Sequence, residues 1–290
     1  MRVHALRPAS EDSEVSEPRS WLFVPADSEK KIAKAIESEA DALIFDLEDS
    51  VAHAQKATAR QILKDLGKST GGPQWWVRIN PLRTDEHRKD LEVLGIADIH
   101  GIVLPKAEGG ADIAEIAHRT GNIPIHAIVT ETAASLFGML TYRDPKSPLA
   151  AMSWGAEDLS AALGASTKYD ADGSLSYTYK LARSLCLAGA VAAGVQPVDG
   201  VFADFRDDGG LRAEAEAAAR EGFTGKLAIH PAQLGVINSA FTPSTDEVAH
   251  ARAIVEAFDA EPDAGVLSVG GRMVDRPHLV QARRVLDRAK

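Results

Sequence analysis

Ala42-Leu43-Ile44-Phe45-Asp46-Leu47 is an apolar run with a single acid in it, closed by Glu48 and Asp49 and followed by a stretch with helical spacing. A run without alternation marks a strand buried on both faces, the condition of a parallel sheet covered by helices. Further runs of this kind stand at residues 21–25, 75–80, 101–106, 125–131, 152–158, 200–204 and 227–230, each leading into helical patterning. Eight strands alternating with helices is the number that closes a TIM barrel, so the fold class predicted is α/β, a (β/α)8 barrel over residues 19–240. The strand exits of such a barrel form one rim, and its active site is built there. Asp46, Glu48, Arg78, Lys106, Glu131, Asp158, Asp204 and His230 all fall at or just past a predicted exit.

The rest of the chain fits around this frame. Residues 1–18, rich in Ser, Glu and Pro without apolar periodicity, read as a flexible tail. Asp27 or Ser28 is placed to cap the first helix, and Asp49 or Ser50 the second. Residues 241–290 read as helix, hairpin, helix: Ser244 and Glu247 make a capping box, Gly270-Gly271 signals a two-residue hairpin, and Pro277 opens a last helix. That helix is predicted to put Leu279, Val280, Ala282 and Val285 on its apolar side. An extension this small is expected to lack a core of its own and to pack on its barrel or on a neighbouring subunit.

A chain of 290 residues accommodates a barrel of about 250 residues plus this extension. With 45% hydrophobic and 26% charged residues it is an ordinary globular composition. The net charge of -10 argues against nucleic acid and anionic membrane as partners, since both select basic surfaces. Cys186 is the only cysteine, which excludes an intrachain disulfide and a thiolate zinc site; in its alanine- and leucine-rich setting it reads as a packed helix residue. The chain start has no charged-then-apolar leader and no run approaches the roughly 20 residues of a membrane span, so a cytoplasmic protein is expected.

Asp46 and Glu48 are alternate residues and point the same way, toward the barrel mouth. Two acids aimed at one site need a cation between them, and Arg78, a fixed fork at the next strand exit, is the candidate, for these acids or for a substrate carboxylate. Glu131 and Asp158 come from neighbouring strands, the usual way to hold Mg²⁺ while leaving coordination positions for water and substrate. Gly155 and Ala156 are placed to offer backbone N–H groups to a carboxylate. His230 is either a base or a rim residue, and Trp75 and Trp76 are strand packing. Residues 138–149, with Tyr142, Arg143 and Lys146, make a longer loop where substrate specificity is expected to vary.

Several stretches, in order, resemble the citrate lyase β-subunit-like family, which includes malyl-CoA and citramalyl-CoA lyases and lies in the HpcH/HpaI aldolase group. They are Arg19-Ser20-Trp21-Leu22-Phe23-Val24-Pro25, Asp46-Leu47-Glu48-Asp49-Ser50-Val51, Val77-Arg78-Ile79-Asn80-Pro81, Val103-Leu104-Pro105-Lys106, Glu131-Thr132, Gly155-Ala156-Glu157-Asp158-Leu159, Ala228-Ile229-His230-Pro231 and Gly271-Arg272-Met273-Val274-Asp275. The resemblance implies that Glu131 and Asp158 are Mg²⁺ ligands and that Arg78 contacts substrate, with Lys106 beside it. Asp46 and Glu48 would organise water or neighbouring cations. Asp275 would be an acid or base at carbon, delivered by the C-terminal extension into an adjacent subunit, which implies a homotrimer or a dimer of trimers. The turn Gly155-Ala156-Glu157-Asp158 departs from the Gly-Thr-Asn-Asp-like form of many members, at a place that bears on substrate choice.

The activity implied is that of a Mg²⁺-dependent carbon–carbon lyase acting on a 3-hydroxyacyl-CoA thioester, with a CoA thioester and a 2-oxo acid as partners. A citrate lyase β subunit acting on an acyl-carrier-protein thioester, an acyl-CoA thioesterase and a pyruvate-type class II aldolase are the alternatives. A non-enzymatic subunit is the reading of a different class, and it leaves an acid cluster without purpose.

Overall fold

The structure is a computed structural model and describes residues 17–67, 69, 71–94 and 99–289. Its centre is a closed barrel of eight parallel strands in chain order. These are β1 (Ser20–Pro25), β2 (Ala42–Asp46), β3 (Gln74–Arg78), β4 (Gly101–Leu104), β5 (Ile125–Ile128), β6 (Leu149–Ser153), β7 (Gln196–Asp199) and β8 (Gly225–Ala228), with β8 pairing back to β1. Both faces of the sheet are dry. On β2, Ala42 and Ile44 join Trp21, Trp76 and Leu227 in the cluster that fills the lumen, whereas Leu43 and Phe45 face the helices. Each large side chain buried this way contributes roughly 2 kcal/mol.

The covering helices are α1 (Glu29–Ile36), α2 (Lys56–Asp65), α3 (Asp85–Leu94), α4 (Gly110–Thr120), α5 (Ala156–Leu163), α6 (Tyr177–Ala193), α7 (Asp208–Glu221) and α8 (Leu234–Phe241). Ser28 caps α1 through its side chain. Neither Asp49 nor Ser50 caps α2, which is entered through a 3-10 turn at His53–Gln55 with no side-chain cap.

Three stretches differ from the sequence expectation. The β5–β6 connection carries 3-10 turns, Ala134–Phe137 and Met139–Tyr142, in place of an α-helix. Gly138, between the two turns, is required by space: a Cβ there would lie 1.8 Å from the Glu108 carbonyl oxygen. Tyr142 is buried there and packs into the core. β6 ends at Ser153, which puts Asp158 in the first turn of α5. β7 is Gln196–Asp199, where the sequence predicts 200–204; the latter residues form the loop after it. Gln196-Pro197-Val198-Asp199 hides its strand because proline is rare in central strands and its ends are polar. Those ends are held by hydrogen bonds, Gln196 Nε2 to the Pro18 carbonyl and Lys226 Nζ to Asp199.

The tail expected at residues 1–18 falls, over 1–16, outside the described residues. Residues 17 and 18 are tied to the barrel: Pro18 accepts from Trp21 Nε1 and Gln196 Nε2, and Glu17 from the Thr224 hydroxyl.

After α8 come α9 (Thr245–Ala260), β9 (Val266–Val269), β10 (Arg272–Asp275) and α10 (Arg276–Arg288). Ser244 and Glu247 form a capping box, and Gly270 and Gly271 both take the positive φ that a two-residue hairpin turn requires. The expectation that this unit lacks a core is corrected. Ala251, Ile254, Phe258, Val274, Leu279 and Ala282 bury one another in a cluster separate from those of the barrel, while Val280 points outward. Cys186 is fully buried on α6, where burial pushes its thiol up and keeps it unreactive. No described helix is long and apolar enough to cross a membrane.

Candidate functional site

At the exit of β2, the wholly buried Asp46 carboxylate accepts from Arg78 Nε and Nη2, both at 2.7 Å, and from the backbone N–H groups of Glu48 and Ser50. Burial works to raise its pKa, but the guanidinium and the amides outweigh that and hold it below the ordinary value. Glu48 Oε2 lies 3.0 Å from Arg78 Nη1, and its Oε1 accepts from Lys106 Nζ at 2.5 Å. Here burial wins, and the Glu48 carboxyl is shifted upward. Arg78 is fixed on another side by Phe23, whose ring centroid is 4.6 Å from the guanidinium carbon.

Lys106, two residues past β4, has φ 53°, a left-handed conformation shared only with Arg83 among the described non-glycine residues. The bend turns its backbone N–H to Glu131 Oε2, which accepts at 2.6 Å. Its ammonium reaches across the mouth to Glu48, to Asp158 Oδ1 at 3.2 Å and to Asp49 Oδ2 at 3.8 Å. Glu131 is buried, and burial together with the charges of Glu48 and Asp158 pushes its pKa up to about 8.

Gly155 makes room for this acid, since a Cβ there would come 2.8 Å from Glu131 Cγ. Its own N–H donates to Thr130 Oγ1 at 3.1 Å. Of the two amides expected to meet a substrate carboxylate, Gly155 is thereby engaged within the protein and Ala156, the first residue of α5, remains.

The donors fit a hard divalent cation. Glu131 and Asp158 bring carboxylate oxygens from neighbouring strand exits, and a carboxyl pushed up to about 8 by burial, with the charges of Glu48 and Asp158 adding to it, marks a place where a cation would be stabilised. Among the described residues no three His, Cys, Asp or Glu gather as a ready-made ligand set, so a two-carboxylate site leaves its other positions to water and substrate.

Two expected rim residues do other work. Asp204 sits on the loop past β7 and accepts from the Arg206 N–H. His230 caps the 3-10 turn Pro231–Gln233, with Nδ1 accepting from Ala232 N–H and its ring stacked on Phe205 at 4.4 Å. Asp275 is the cap of α10; its carboxylate accepts from His278 N–H, while its own N–H donates to His278 Nδ1.

The sequence profile of HpcH/HpaI aldolase/citrate lyase matches residues 19–231, which span all eight strands and the acids of the barrel mouth, Asp46, Glu48, Glu131 and Asp158. The chain belongs to that family. A citrate lyase subunit beta-like protein of Mycobacterium tuberculosis is 39% identical over 93% of this chain and 94% of its own length. A (3S)-malyl-CoA thioesterase of Cereibacter sphaeroides is 37% identical over 94% of both chains. The crystal structure of CitE from Mycobacterium tuberculosis in complex with magnesium, acetoacetate and coenzyme A superposes with a TM-score of 0.82 at 37% identity, covering 95% of this chain and 99% of that one.

In this HpcH/HpaI barrel, sequence reasoning missed a buried layer beneath the acids. Lys56 Nζ donates to the carbonyls of Leu47 and Glu48 and to Asn80 Oδ1, and Asn80 is bound in turn to Asp90, which pairs with Arg60. This layer fixes the backbone that carries Glu48. A signal existed: Lys56 and Arg60 share the buried face of α2 with Ala59 and Leu63, and Asp90 that of α3 with Val93 and Leu94. Charges at apolar positions of a helical stripe are where buried networks form.

Proposed function

We propose that this family member is a Mg²⁺-dependent carbon–carbon lyase. Its substrate is a 3-hydroxyacyl-CoA thioester with a carboxylate on the hydroxyl carbon, such as malyl-CoA or citramalyl-CoA, cleaved to acetyl-CoA or a near relative and a 2-oxo acid, or formed in reverse. The observation that supports it most is the mouth itself, where Arg78 and Lys106 gather Asp46, Glu48, Glu131 and Asp158. The likeness to a CitE structure holding magnesium, acetoacetate and coenzyme A supports the same reading.

Glu131 and Asp158 would hold the ion, which when bound supplies Lewis acidity for the oxygens of a 2-hydroxy or 2-oxo acid. Arg78 compensates charge as the thioester enolate develops, and because Asp46 and Phe23 already orient it, little reorganisation is needed at that moment. Lys106 and the Ala156 amide bind the anionic parts of the substrate. Asp275 exchanges the proton at the enolate carbon. Hydrogen bonding with His278 lowers its pKa, which suits the carboxylate form that takes a proton from carbon in condensation. Donating that proton in cleavage calls for a drier setting that raises the carboxyl. We assign that setting to the barrel mouth of a neighbouring subunit in a homotrimer or a dimer of trimers.

The likeness to a (3S)-malyl-CoA thioesterase favours a second outcome, hydrolysis of the thioester with the carbon skeleton intact. Product identity separates the two. Incubation of malyl-CoA with the protein and Mg²⁺ is expected to give acetyl-CoA and glyoxylate; malate and free CoA support hydrolysis instead. No turnover of malyl-CoA or citramalyl-CoA rejects both.

A further inference from the structure

Lys106 is joined to the acids of the mouth by two different parts of itself. Its backbone N–H holds Glu131 at 2.6 Å through a left-handed φ of 53°, and its ammonium spans Glu48 at 2.5 Å and Asp158 at 3.2 Å. A non-glycine residue adopts this conformation only with some strain, which its contacts to these acids offset. Arg78, by contrast, is committed to Asp46 and Glu48 and is largely buried. Lys106 has the more exposed side chain of the two, 28% against 11%, and sits on a flexible stem able to swing.

The acids outnumber these cations. Asp46, Glu48, Glu131 and Asp158 face Arg78 and Lys106, with the exposed Asp49 3.8 Å from Lys106 Nζ, so with all of them ionised the mouth is short by at least the charge of one divalent ion. Asp158 holds the ammonium through Oδ1, and an ion on the same carboxylate would stand close to that ammonium in a half-buried site, where two cations repel each other.

We propose that the Lys106 ammonium competes with the divalent cation for Asp158, so that metal binding releases it from that acid and turns it toward an anionic group of the substrate. This rests on the reading of Glu131 and Asp158 as the metal-holding pair. Two consequences follow from the geometry. Lys106 opposes metal binding while stabilising the acids without it, and it couples the two ligands: metal first, anionic substrate second. Its main-chain contact to Glu131 is unaffected by the swing, since the N–H does not move with the side chain.

The test is Mg²⁺ titration by calorimetry of the wild-type protein, Lys106→Met and Lys106→Arg. Removing the competing charge is expected to tighten Mg²⁺ binding at least about tenfold in Lys106→Met, while pyruvate binding to the Mg²⁺-loaded protein weakens by a similar factor. Lys106→Arg keeps the charge and is expected to stay within about threefold of wild type for Mg²⁺. Mg²⁺ affinity that is unchanged or weaker in a folded Lys106→Met protein overturns the proposal. If that variant does not fold, acylation of lysines in the wild-type protein, read by peptide mass spectrometry, decides. Labelling of Lys106 is expected to rise on adding Mg²⁺, while that of the buried Lys56 stays constant. An unchanged Lys106 signal overturns the proposal. A wild-type protein that binds no Mg²⁺ rejects the metal reading and the proposal together, whereas normal wild-type binding with an indifferent Lys106→Met rejects the proposal alone.

Discussion

Arg78 satisfies Asp46 with two parallel hydrogen bonds at 2.7 Å where the carboxylate has no access to water. Lysine keeps the charge but loses the fork, so Arg78→Lys leaves a buried oxygen without its partner and displaces the charge that we propose meets the substrate. We expect kcat/KM to fall at least about tenfold and unfolding free energy by about 1–3 kcal/mol. A variant equal to wild type in turnover and in urea unfolding denies Arg78 both roles. Two other buried groups set opposite limits on pH. His126, edge-on to Trp21 with neither ring nitrogen hydrogen-bonded, is pushed by burial from 6.5 down to about 3. The unfolded chain binds that proton more readily, so stability is lost as pH falls below 6.5. Glu131 is pushed from 4.5 up to about 8; the folded chain holds that proton more readily, so stability is lost as pH rises from 4.5 toward 8. The two slopes oppose each other between 4.5 and 6.5; above that range His126 no longer contributes, and Glu131 adds a slope of no more than about 1.4 kcal/mol per pH unit, in the same direction as the upward-shifted Glu48. A cation beside Glu131 stabilises its charge, so Mg²⁺ is expected to flatten the fall between pH 6.5 and 8, and EDTA to restore it. Urea unfolding at those two pH values with and without Mg²⁺ measures this, and identical slopes contradict it.

The turn from β6 into α5 depends on an absent side chain. Gly155 has φ -126°, open to any residue, so its requirement is steric: a Cβ would stand 2.8 Å from Glu131 Cγ. Gly155→Ala is expected to leave the circular dichroism spectrum intact and weaken Mg²⁺ binding about tenfold or more, because Glu131 must shift by several tenths of an ångström. Unchanged affinity would show that Glu131 yields without loss. The same elements show what a sequence displays. β2 to β5 are legible because two dry faces demand unbroken apolar runs, and the acids after them are legible because chain direction puts every exit on one rim. β7 is illegible because Pro197 and polar ends replace the run, and Asp199 was passed over with it. That acid is buried against Lys226, Arg183 and the Trp154 indole, partners that come from three separate elements or loops and share no local pattern. Gly138 likewise lets the β5–β6 connection approach Glu108, a contact invisible along the chain.

At the scale of the whole molecule, the α9–β9–β10–α10 unit buries its own cluster and carries Asp275 at the junction of β10 and α10. If that acid completes another subunit's mouth, two defective proteins should repair each other. Asp275→Asn mixed with Arg78→Lys, under conditions that exchange subunits, is expected to recover part of the activity that each has lost. Hybrids that form and stay inactive place Asp275 in its own chain's service. Its outer hairpin face also carries Val266 and Met273, 56% and 69% exposed. Here the seclusion of Cys186 acquires a use: the chain has no other cysteine, and that one is closed inside the packing of α6. Met273→Cys would create the one thiol within reach of a maleimide dye. The protein is ready for single-point optical reporting, in which the colour of one fluorophore tells whether another copy covers the hairpin.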